Sequence, residues 1–313
     1  MIDRKDIRVR DPYIVVYNDK YYMYVTTGEK SLSYYYSTDL DNWELGGVCF
    51  EIPEDSWAFK DVWAAEVHKY NDKFYMFVSL LAKEYPQGTL GFGVDAPGCE
   101  YSKGGFRATQ VAVADTPEGP FIPIVNNGVT PGDRSCIDGS LYVDNGVPYL
   151  FYSRDWVQHY VESEKAYIGE IWCAKLTDDL SSMIGEPFRV FASNEAPLSK
   201  ERPDRNPKFV RYGSDAPFVQ KLSGGSLFLT WSPYLDDHYV VLGAVSKSGK
   251  VDGEWTHLDT PVFENDGGHA MFFTDLEGRL CMCLHAPEKW TQERAHIFEM
   301  EECGGVLKIV KEL

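Results

Sequence analysis

The chain has 313 residues, of which 44% are hydrophobic and 14% aromatic, so it can bury a large core. It carries 48 acidic residues against 30 lysines and arginines, a net charge of −18. Because nucleic acid is bound through a basic surface, this charge excludes nucleic acid from the expected partners. No apolar run approaches the roughly 20 residues that cross a bilayer, so we expect no membrane partner.

One strand-turn-strand pattern occurs five times along the chain. Each copy opens near an acidic residue or a histidine. It joins two apolar or aromatic runs through a turn such as Asn-Asp, Asn-Gly or Gly-Gly, which indicates an antiparallel hairpin. Recurrence every roughly 50–75 residues is typical of the blades of a β-propeller. The five copies span residues 11–24, 63–77, 138–152, 215–231 and 266–283.

Further strands follow each hairpin, so that each copy has the four strands of a propeller blade. The sequence therefore predicts an all-β fold, a five-bladed β-propeller. No linker-like segment interrupts the repeat, and we expect residues 1–313 to form a single domain. Residues 295–300 and 306–310 complete the last blade, and we expect residues 1–9 to add a strand to it and close the ring.

Three segments do not fit the repeat, namely residues 83–109, 154–170 and 193–213. Long insertions on a regular scaffold are more often functional loops than defects. We therefore expect some of them to rim a pocket at the mouth of the propeller.

The seven cysteines are scattered through predicted strands without the spacing of a disulfide framework or a metal site. The first residues lack a basic region followed by an apolar one, so no secretory signal is visible. Reduced, buried thiols are the simplest interpretation, and we expect a cytoplasmic protein.

The side chains that open the five hairpins should meet at one end of the central channel, because the first strand of each blade lines that channel. They are Asp11, Glu66, Asp138, Asp215 and His269, which we expect to share one register. Repulsion between facing carboxylates should raise at least one pKa, which produces an acid and a base from one residue type. Paired carboxylates across a sugar-sized gap carry out glycoside hydrolysis.

Five short phrases around these residues carry a family resemblance over essentially the whole chain. They are Arg10-Asp11-Pro12, Trp63-Ala64-Ala65-Glu66-Val67-His68, Ile137-Asp138-Gly139-Ser140-Leu141, Asp215-Ala216-Pro217-Phe218, and Gly267-Gly268-His269-Ala270-Met271 with Leu284-His285-Ala286-Pro287 behind it. In this order and spacing, the sequence resembles glycoside hydrolase family 43.

The resemblance implies inverting hydrolysis, with Asp11 as general base, Asp215 as general acid and Asp138 as the residue that tunes and orients the acid. The family has glutamate at the position of Asp215, so the carboxyl here is withdrawn by roughly 1.5 Å, one C–C bond. Two alternatives therefore stay open. Asp215 remains the expected acid if a backbone shift compensates for its shorter side chain; otherwise Glu170 is the acid, or the protein binds sugar without cleaving it.

Further residues are expected around the substrate. Arg10 adjoins the base, and Glu66 either orients the substrate or stabilises the structure. Trp63, Trp156 and the aromatic stretch of residues 85–92 can supply a stacking face for a sugar ring, although Trp63 is equally suited to the core.

The implied activity is the removal of α-L-arabinofuranosyl, β-D-xylosyl or galactofuranosyl residues from plant-type oligosaccharides, without a required cofactor. The resemblance also implies a calcium ion in the channel, bound by His269 through water molecules. A non-catalytic sugar-binding propeller is one rival interpretation. The other is a glycoside phosphorylase, which would need an anion pocket, for which Arg10, Arg134 and Arg154 are the candidates.

Overall fold

The computed structural model describes residues 1–26, 28–84, 105–203 and 210–313, without the side chains of residues 202 and 203. Five antiparallel sheets, here called blades I to V, follow one another along the chain. Within each blade, four strands neighbour one another in chain order. In the part of the chain that is described, no helix is long and apolar enough to cross a membrane.

The strands of the blades have the following bounds. Blade I consists of Tyr13–Tyr17, Lys20–Tyr24, Ser31–Ser37 and Asn42–Glu51. Blade II consists of Ala58–Tyr70, Lys73–Ala82, Arg107–Ala114 and Ile122–Pro123. Blade III consists of Cys136–Asp144, Val147–Arg154, Glu170–Leu176 and Met183–Ala192. Blade IV consists of Asp215–Lys221, Leu227–Ser232, Leu242–Ser246 and Thr256–His257. Blade V consists of Gly268–Thr274, Leu280–Ala286, Arg294–Cys303 and Val306–Glu312.

The first strands of the five blades form a closed ring. Each contacts the first strand of the next blade, and the first strand of blade V contacts that of blade I. The predicted five-bladed β-propeller is therefore confirmed.

The prediction that residues 1–9 add a strand to blade V is wrong. Ile2–Asp3 pairs instead with the outer strand of blade I. Blades I and V both present an outer edge strand, and the Arg4 N–H fixes the choice of blade I by donating to the carbonyl oxygen of Asp41 at 2.8 Å. The two ends of the chain still meet, since the Arg4 guanidinium donates to the carbonyl oxygen of Leu313.

Two of the predicted insertions pair with each other rather than forming separate loops. Ala166–Ile168 pairs in parallel with Val210–Tyr212, and together with two short strands they form a small sheet beside blade III. Residues 85–104 of the remaining insertion lie outside the described residues, and its end belongs to the third strand of blade II. Among the described residues, the other short strands are Tyr160–Val161, Arg202–Pro203, Tyr234–Leu235 and His238–Tyr239. The 3-10 helices in the same part of the chain are Arg4–Asp6, Trp156–Gln158 and Ser193–Glu195.

Apolar side chains pack between neighbouring blades. The largest buried cluster spans blades I, II, IV and V, and two others join blade III to blades IV and II. Trp43 and Trp231 are fully buried in these layers. The described cysteines are free thiols, and all except Cys303 are buried.

Each blade has at least one non-glycine residue in the left-handed backbone conformation near the start of its inner strand, and five of these residues, one in each blade, position the site. In blades II to V the pairing register shifts at this point, as in a β-bulge. Such conformations persist only where the surroundings hold them. The five residues, with φ between 48° and 58°, are Asp11, Ala64, Asp138, Ala216 and His269.

Hydrogen bonds from one blade to the next hold these residues. Four of the left-handed N–H groups donate to a side chain that lies in the last part of the second strand of the preceding blade or shortly after it. The pairs are Ala64 with Thr26 Oγ1 at 2.8 Å, Asp138 with Ser79 Oγ at 2.9 Å, His269 with Ser232 Oγ at 2.9 Å and Asp11 with His285 Nδ1 at 3.2 Å. The same contacts that join the blades therefore aim these residues at the channel.

We expect Ser232→Ala to destabilise the protein by about 1–3 kcal/mol, because it leaves the buried N–H of His269 without its acceptor. The free energy of unfolding can be measured in denaturant for this variant and for Ser223→Ala, a control at an exposed turn residue. Equal unfolding free energies would contradict the interblade role of Ser232.

Candidate active site

A cavity of about 790 Å³ opens at the end of the ring where the left-handed residues lie. Asp11, Asp138, Asp215 and His269, four of the five predicted channel residues, line it together. Trp156 lines it as well, so the insertion that begins at residue 154 contributes to the pocket, as expected from its length.

Asp11 is buried among hydrogen-bond donors and positive charge. Its Oδ1 lies 3.2 Å from His269 Nδ1, and its Oδ2 lies 3.8 Å from Arg10 Nε and accepts from Thr26 Oγ1 at 3.2 Å. Burial acts to raise the pKa of Asp11, but His269, Arg10 and His285 outweigh it and lower the pKa below its ordinary value. Burial lowers the pKa of His269 to about 4, so at neutral pH a neutral imidazole lies beside the ionised Asp11.

Arg10 is fixed beside Asp11 by a second buried network. Its guanidinium makes two hydrogen bonds to Glu288, at 2.8 and 3.0 Å. Glu288 also accepts from Tyr234 and from His285 Nε2, while His285 Nδ1 accepts the Asp11 N–H. Burial acts to raise the pKa of Glu288, but His285 and Arg10 lower it to about 2. The network therefore keeps a positive charge in a constant position beside Asp11.

Asp138 orients the backbone next to Asp215. Its Oδ2 accepts the N–H of Ala216 at 3.0 Å, in place of the hydroxyl acceptor that blades I, II and IV supply. Ser153, which has the corresponding position in blade III, bonds to Ser214 instead. Burial and the negative charges of Asp215 and Asp11 raise the pKa of Asp138 well above its ordinary value.

Asp215 is partly buried and has few partners. Its Oδ2 accepts from the Tyr239 hydroxyl at 3.3 Å, and its Oδ1 has no hydrogen-bond partner among the described residues. Burial, with the negative charge of Asp155, raises the pKa of Asp215 to about 7. A large share of the Asp215 carboxyl groups therefore carry a proton at neutral pH.

The predicted channel residues do not share one register. Asp11, Asp138 and His269 are the left-handed residues themselves, whereas Asp215 precedes the left-handed residue of blade IV by one position. Glu66 follows the left-handed residue of blade II by two positions. In a regular strand, successive side chains point to opposite faces, so residues at different register positions would not all face one cavity. The β-bulges allow them to do so.

Glu66 and Glu170 do not line the described part of the cavity. Glu66 is buried with its Oε2 2.8 Å from His68 Nε2, and burial raises its pKa. Glu170 accepts from Trp172 Nε1 at 2.9 Å and pairs with Arg154 at 3.2 Å. Burial acts to raise the pKa of Glu170, but its histidine, tryptophan and arginine neighbours outweigh it and lower the pKa. A lowered pKa disfavours the role of general acid.

Another part of the cavity lining is built around Arg107. Its guanidinium lies 4.1 Å from the centre of the Trp63 ring, and it pairs with Asp61 at 2.9 Å and approaches Asp155 at 3.9 Å. Trp63 is 37% exposed, which leaves indole surface free for a sugar ring. Asp155 caps the short helix that carries Trp156. The aromatic stretch of residues 85–92 lies outside the described residues.

Several residues of the site were not singled out from the sequence, and five of them contact the carboxyls, hold Arg10 or support the ring of Trp63. His285 could have been found, because it belongs to one of the family-like phrases, whereas no local pattern marks the others. They are Arg107, Asp155, Tyr239, His285 and Glu288.

The described residues do not form a direct metal site at His269. Its Nδ1 is engaged with Asp11, and no three His, Cys, Asp or Glu side chains cluster to hold a cation in the part of the chain that is described. A calcium ion bound through water molecules stays a prediction.

Fold and site together define a β-propeller glycosidase, with an ionised and a protonated carboxyl facing one cavity. The sequence model described as Glycosyl hydrolases family 43 matches residues 5–301. The chain belongs to this family, which confirms the resemblance. Among curated proteins, none matches the chain.

Solved structures of the family superpose on the whole chain. An endo-arabinase from Bacteroides thetaiotaomicron VPI-5482 is 33% identical, with a TM-score of 0.84 over 97% of this chain and 98% of its own. An endo-1,4-β-xylanase from the same organism is 24% identical, with a TM-score of 0.72 over 97% and 95%. An α-L-arabinofuranosidase from Lactobacillus brevis is 15% identical, with a TM-score of 0.70 over 97% and 95%.

We expect Asp215→Asn to stabilise the protein increasingly as pH rises from about 4 to 7. The folded-state pKa of Asp215 is raised to about 7, so its ionisation costs the wild type stability across that range, about 1.4 kcal/mol per unit. Unfolding free energies of both proteins from pH 4 to 9 test this, with Asp259→Asn as an exposed control. A stability difference independent of pH would contradict the raised pKa.

Proposed function

We propose that the protein is an inverting glycoside hydrolase in which Asp11 is the general base and Asp215 the general acid. The observation that supports this most is the unequal environment of two carboxyls at one cavity. The pKa of Asp11 is lowered, whereas that of Asp215 is raised to about 7. Enzymes obtain an acid and a base from two carboxyls by such a division.

In the proposed reaction, Asp11 accepts a proton from a water molecule as the water oxygen attacks the anomeric carbon. The bond to the leaving oxygen breaks, and Asp215 donates its proton to that oxygen. Asp11 is then protonated and Asp215 ionised, and proton exchange with solvent restores both. Asp138 holds the backbone beside the acid through its hydrogen bond to Ala216. A single displacement inverts the configuration of the anomeric carbon.

The substrate that we propose is a neutral oligosaccharide with α-L-arabinofuranosyl units. Six acidic residues and three arginines line the described cavity, a negative balance that favours a neutral ligand over an anionic one. The 33% identical structure is that of an endo-arabinase, which supports arabinosyl substrates. β-D-xylosyl units are the second candidate, because a more distant structure is that of an endo-1,4-β-xylanase.

Hydrolysis is better supported than phosphorolysis. Arg134 and Arg154, two candidates for a phosphate pocket, do not line the described cavity. Arg10 does line it, but its guanidinium is engaged with Glu288. The remaining rival interpretation is sugar binding without cleavage, and its support is the shorter side chain of Asp215. A measurement of substrate turnover decides between it and hydrolysis.

Asn variants should separate the two roles. We expect Asp11→Asn to lose about 10²–10⁴-fold in rate on every substrate, because the attacking water keeps its proton. Asp215→Asn should lose as much on α-1,5-linked arabino-oligosaccharides but far less on 4-nitrophenyl α-L-arabinofuranoside, whose leaving group departs without a proton. Steady-state rates on both substrates test this, with Asp259→Asn as the exposed control.

An equal loss of Asp215→Asn on both substrates would place the acid elsewhere. A wild-type protein that cleaves neither arabinosides, xylosides nor galactofuranosides would overturn the proposed hydrolase.

We expect Tyr239→Phe to move the basic limb of the pH profile of kcat/KM upward by about one unit. The Tyr239 hydroxyl stabilises the ionised form of Asp215, so its removal raises the pKa of the acid above about 7. Profiles of the wild type, Tyr239→Phe and the exposed control Tyr36→Phe test this. A basic limb that stays in place or moves downward would contradict the assignment of Asp215 as the acid.

A further inference from the structure

Trp290 is an exposed indole at the cavity of the carboxyls. It lies between the second and third strands of blade V, it is 72% exposed, and it lines the cavity. The guanidinium carbon of Arg8 is 4.0 Å from the centre of its ring. One face of the indole is therefore packed against a cation and the rest of the ring is open. A large apolar surface left open at a cavity is typical of a ligand-binding surface.

The cation behind Trp290 is anchored to the site of the proposed base. Arg8 Nε lies 3.4 Å from Glu293 Oε2, and Glu293 is fully buried. The other oxygen of Glu293 lies 3.6 Å from Arg10 Nη1. Trp290 is thus connected through Arg8 and Glu293 to the guanidinium beside Asp11. Fixing the Trp290 side chain when a ligand binds costs little conformational entropy, because Arg8 and Glu293 already hold the indole in place.

Trp63 is built in the same way. Its ring also lies over a guanidinium, that of Arg107, which is anchored by Asp61 at 2.9 Å. Both indoles line one cavity, and both leave surface open to it. Because a neutral sugar ring packs its C–H face on an aromatic ring, two such platforms suit one oligosaccharide at two places.

We propose that Trp290 is the platform of a distal sugar-binding subsite. Its open face stacks on a sugar ring beyond the two units that the cleaved bond joins. The proposal rests on the proposed hydrolase function and extends it, since such a subsite makes longer oligosaccharides better substrates than disaccharides. A sugar is favoured over a protein partner because the open indole is continuous with the carboxyl cavity.

The test compares Trp290→Ala and Trp290→Phe with the wild type on α-1,5-linked arabino-oligosaccharides of two to six units. Leu45→Ala, at an exposed apolar residue on the outer strand of blade I, is the matched control. We expect kcat/KM of Trp290→Ala to fall about five- to tenfold on four to six units and to stay unchanged on the disaccharide and on 4-nitrophenyl α-L-arabinofuranoside. Trp290→Phe should keep most of the wild-type rate.

An active wild type with the same rates as Trp290→Ala at every length, or an equal loss at every length, would overturn the subsite and leave the hydrolase intact. A wild type without turnover would instead remove the hydrolase. The subsite is then decided by calorimetric binding of arabinohexaose and xylohexaose, where weaker binding to Trp290→Ala supports it and unchanged or absent binding overturns it. Sedimentation that shows a wild-type dimer and a monomeric Trp290→Ala would assign the indole to a second copy of the chain.

Discussion

The groups that surround Asp11, above all His269 and the guanidinium of Arg10, divide the carboxyls of the cavity into a base and an acid. Arg10 lies 3.8 Å from Asp11 and is held there by the two hydrogen bonds that its guanidinium donates to Glu288. Positive charge favours the ionised form of its neighbour, so Asp11 gives up its proton first. The negative charge of Asp11 then helps to keep a proton on Asp138 and Asp215, whose pKa values burial already raises. The distribution of charge, rather than the type of residue, creates the two roles.

The propeller supplies this distribution through its blade-to-blade hydrogen bonds. In four blades, the second strand of one blade provides the side chain that holds the left-handed residue of the next. Blade IV departs from the pattern, because there the carboxyl group of Asp138 holds Ala216, the neighbour of Asp215. The exception couples the proposed acid to a second buried carboxyl. The hydrogen bonds between neighbouring blades therefore hold the ring together and also position the residues of the site.

The fold could be predicted from the sequence because hairpin turns and aromatic strands recur locally, and Asp11, Asp138, Asp215 and His269 were predicted to converge for the same reason. Their different registers could not be predicted, since a bulge leaves no mark in the alternation of side chains. Glu288 and Tyr239 were missed because they contact the site from distant positions in the chain. The strand formed by residues 2 and 3 was assigned to the wrong blade, since blades I and V both present an outer edge strand and no local pattern marks the one with which it pairs.

The ionisation states of Asp11 and Asp215 test this account most directly. Carbon-13 NMR of the aspartate carboxyls, titrated from pH 3 to 9 and assigned with Asp11→Asn and Asp215→Asn, measures both. We expect the Asp11 carboxyl to be ionised at every pH above the ordinary pKa of an aspartate, because its own pKa is lowered. The Asp215 carboxyl should titrate near pH 7. Titration of Asp215 at the pH of an exposed aspartate, or of Asp11 above Asp215, would contradict the division of roles between them.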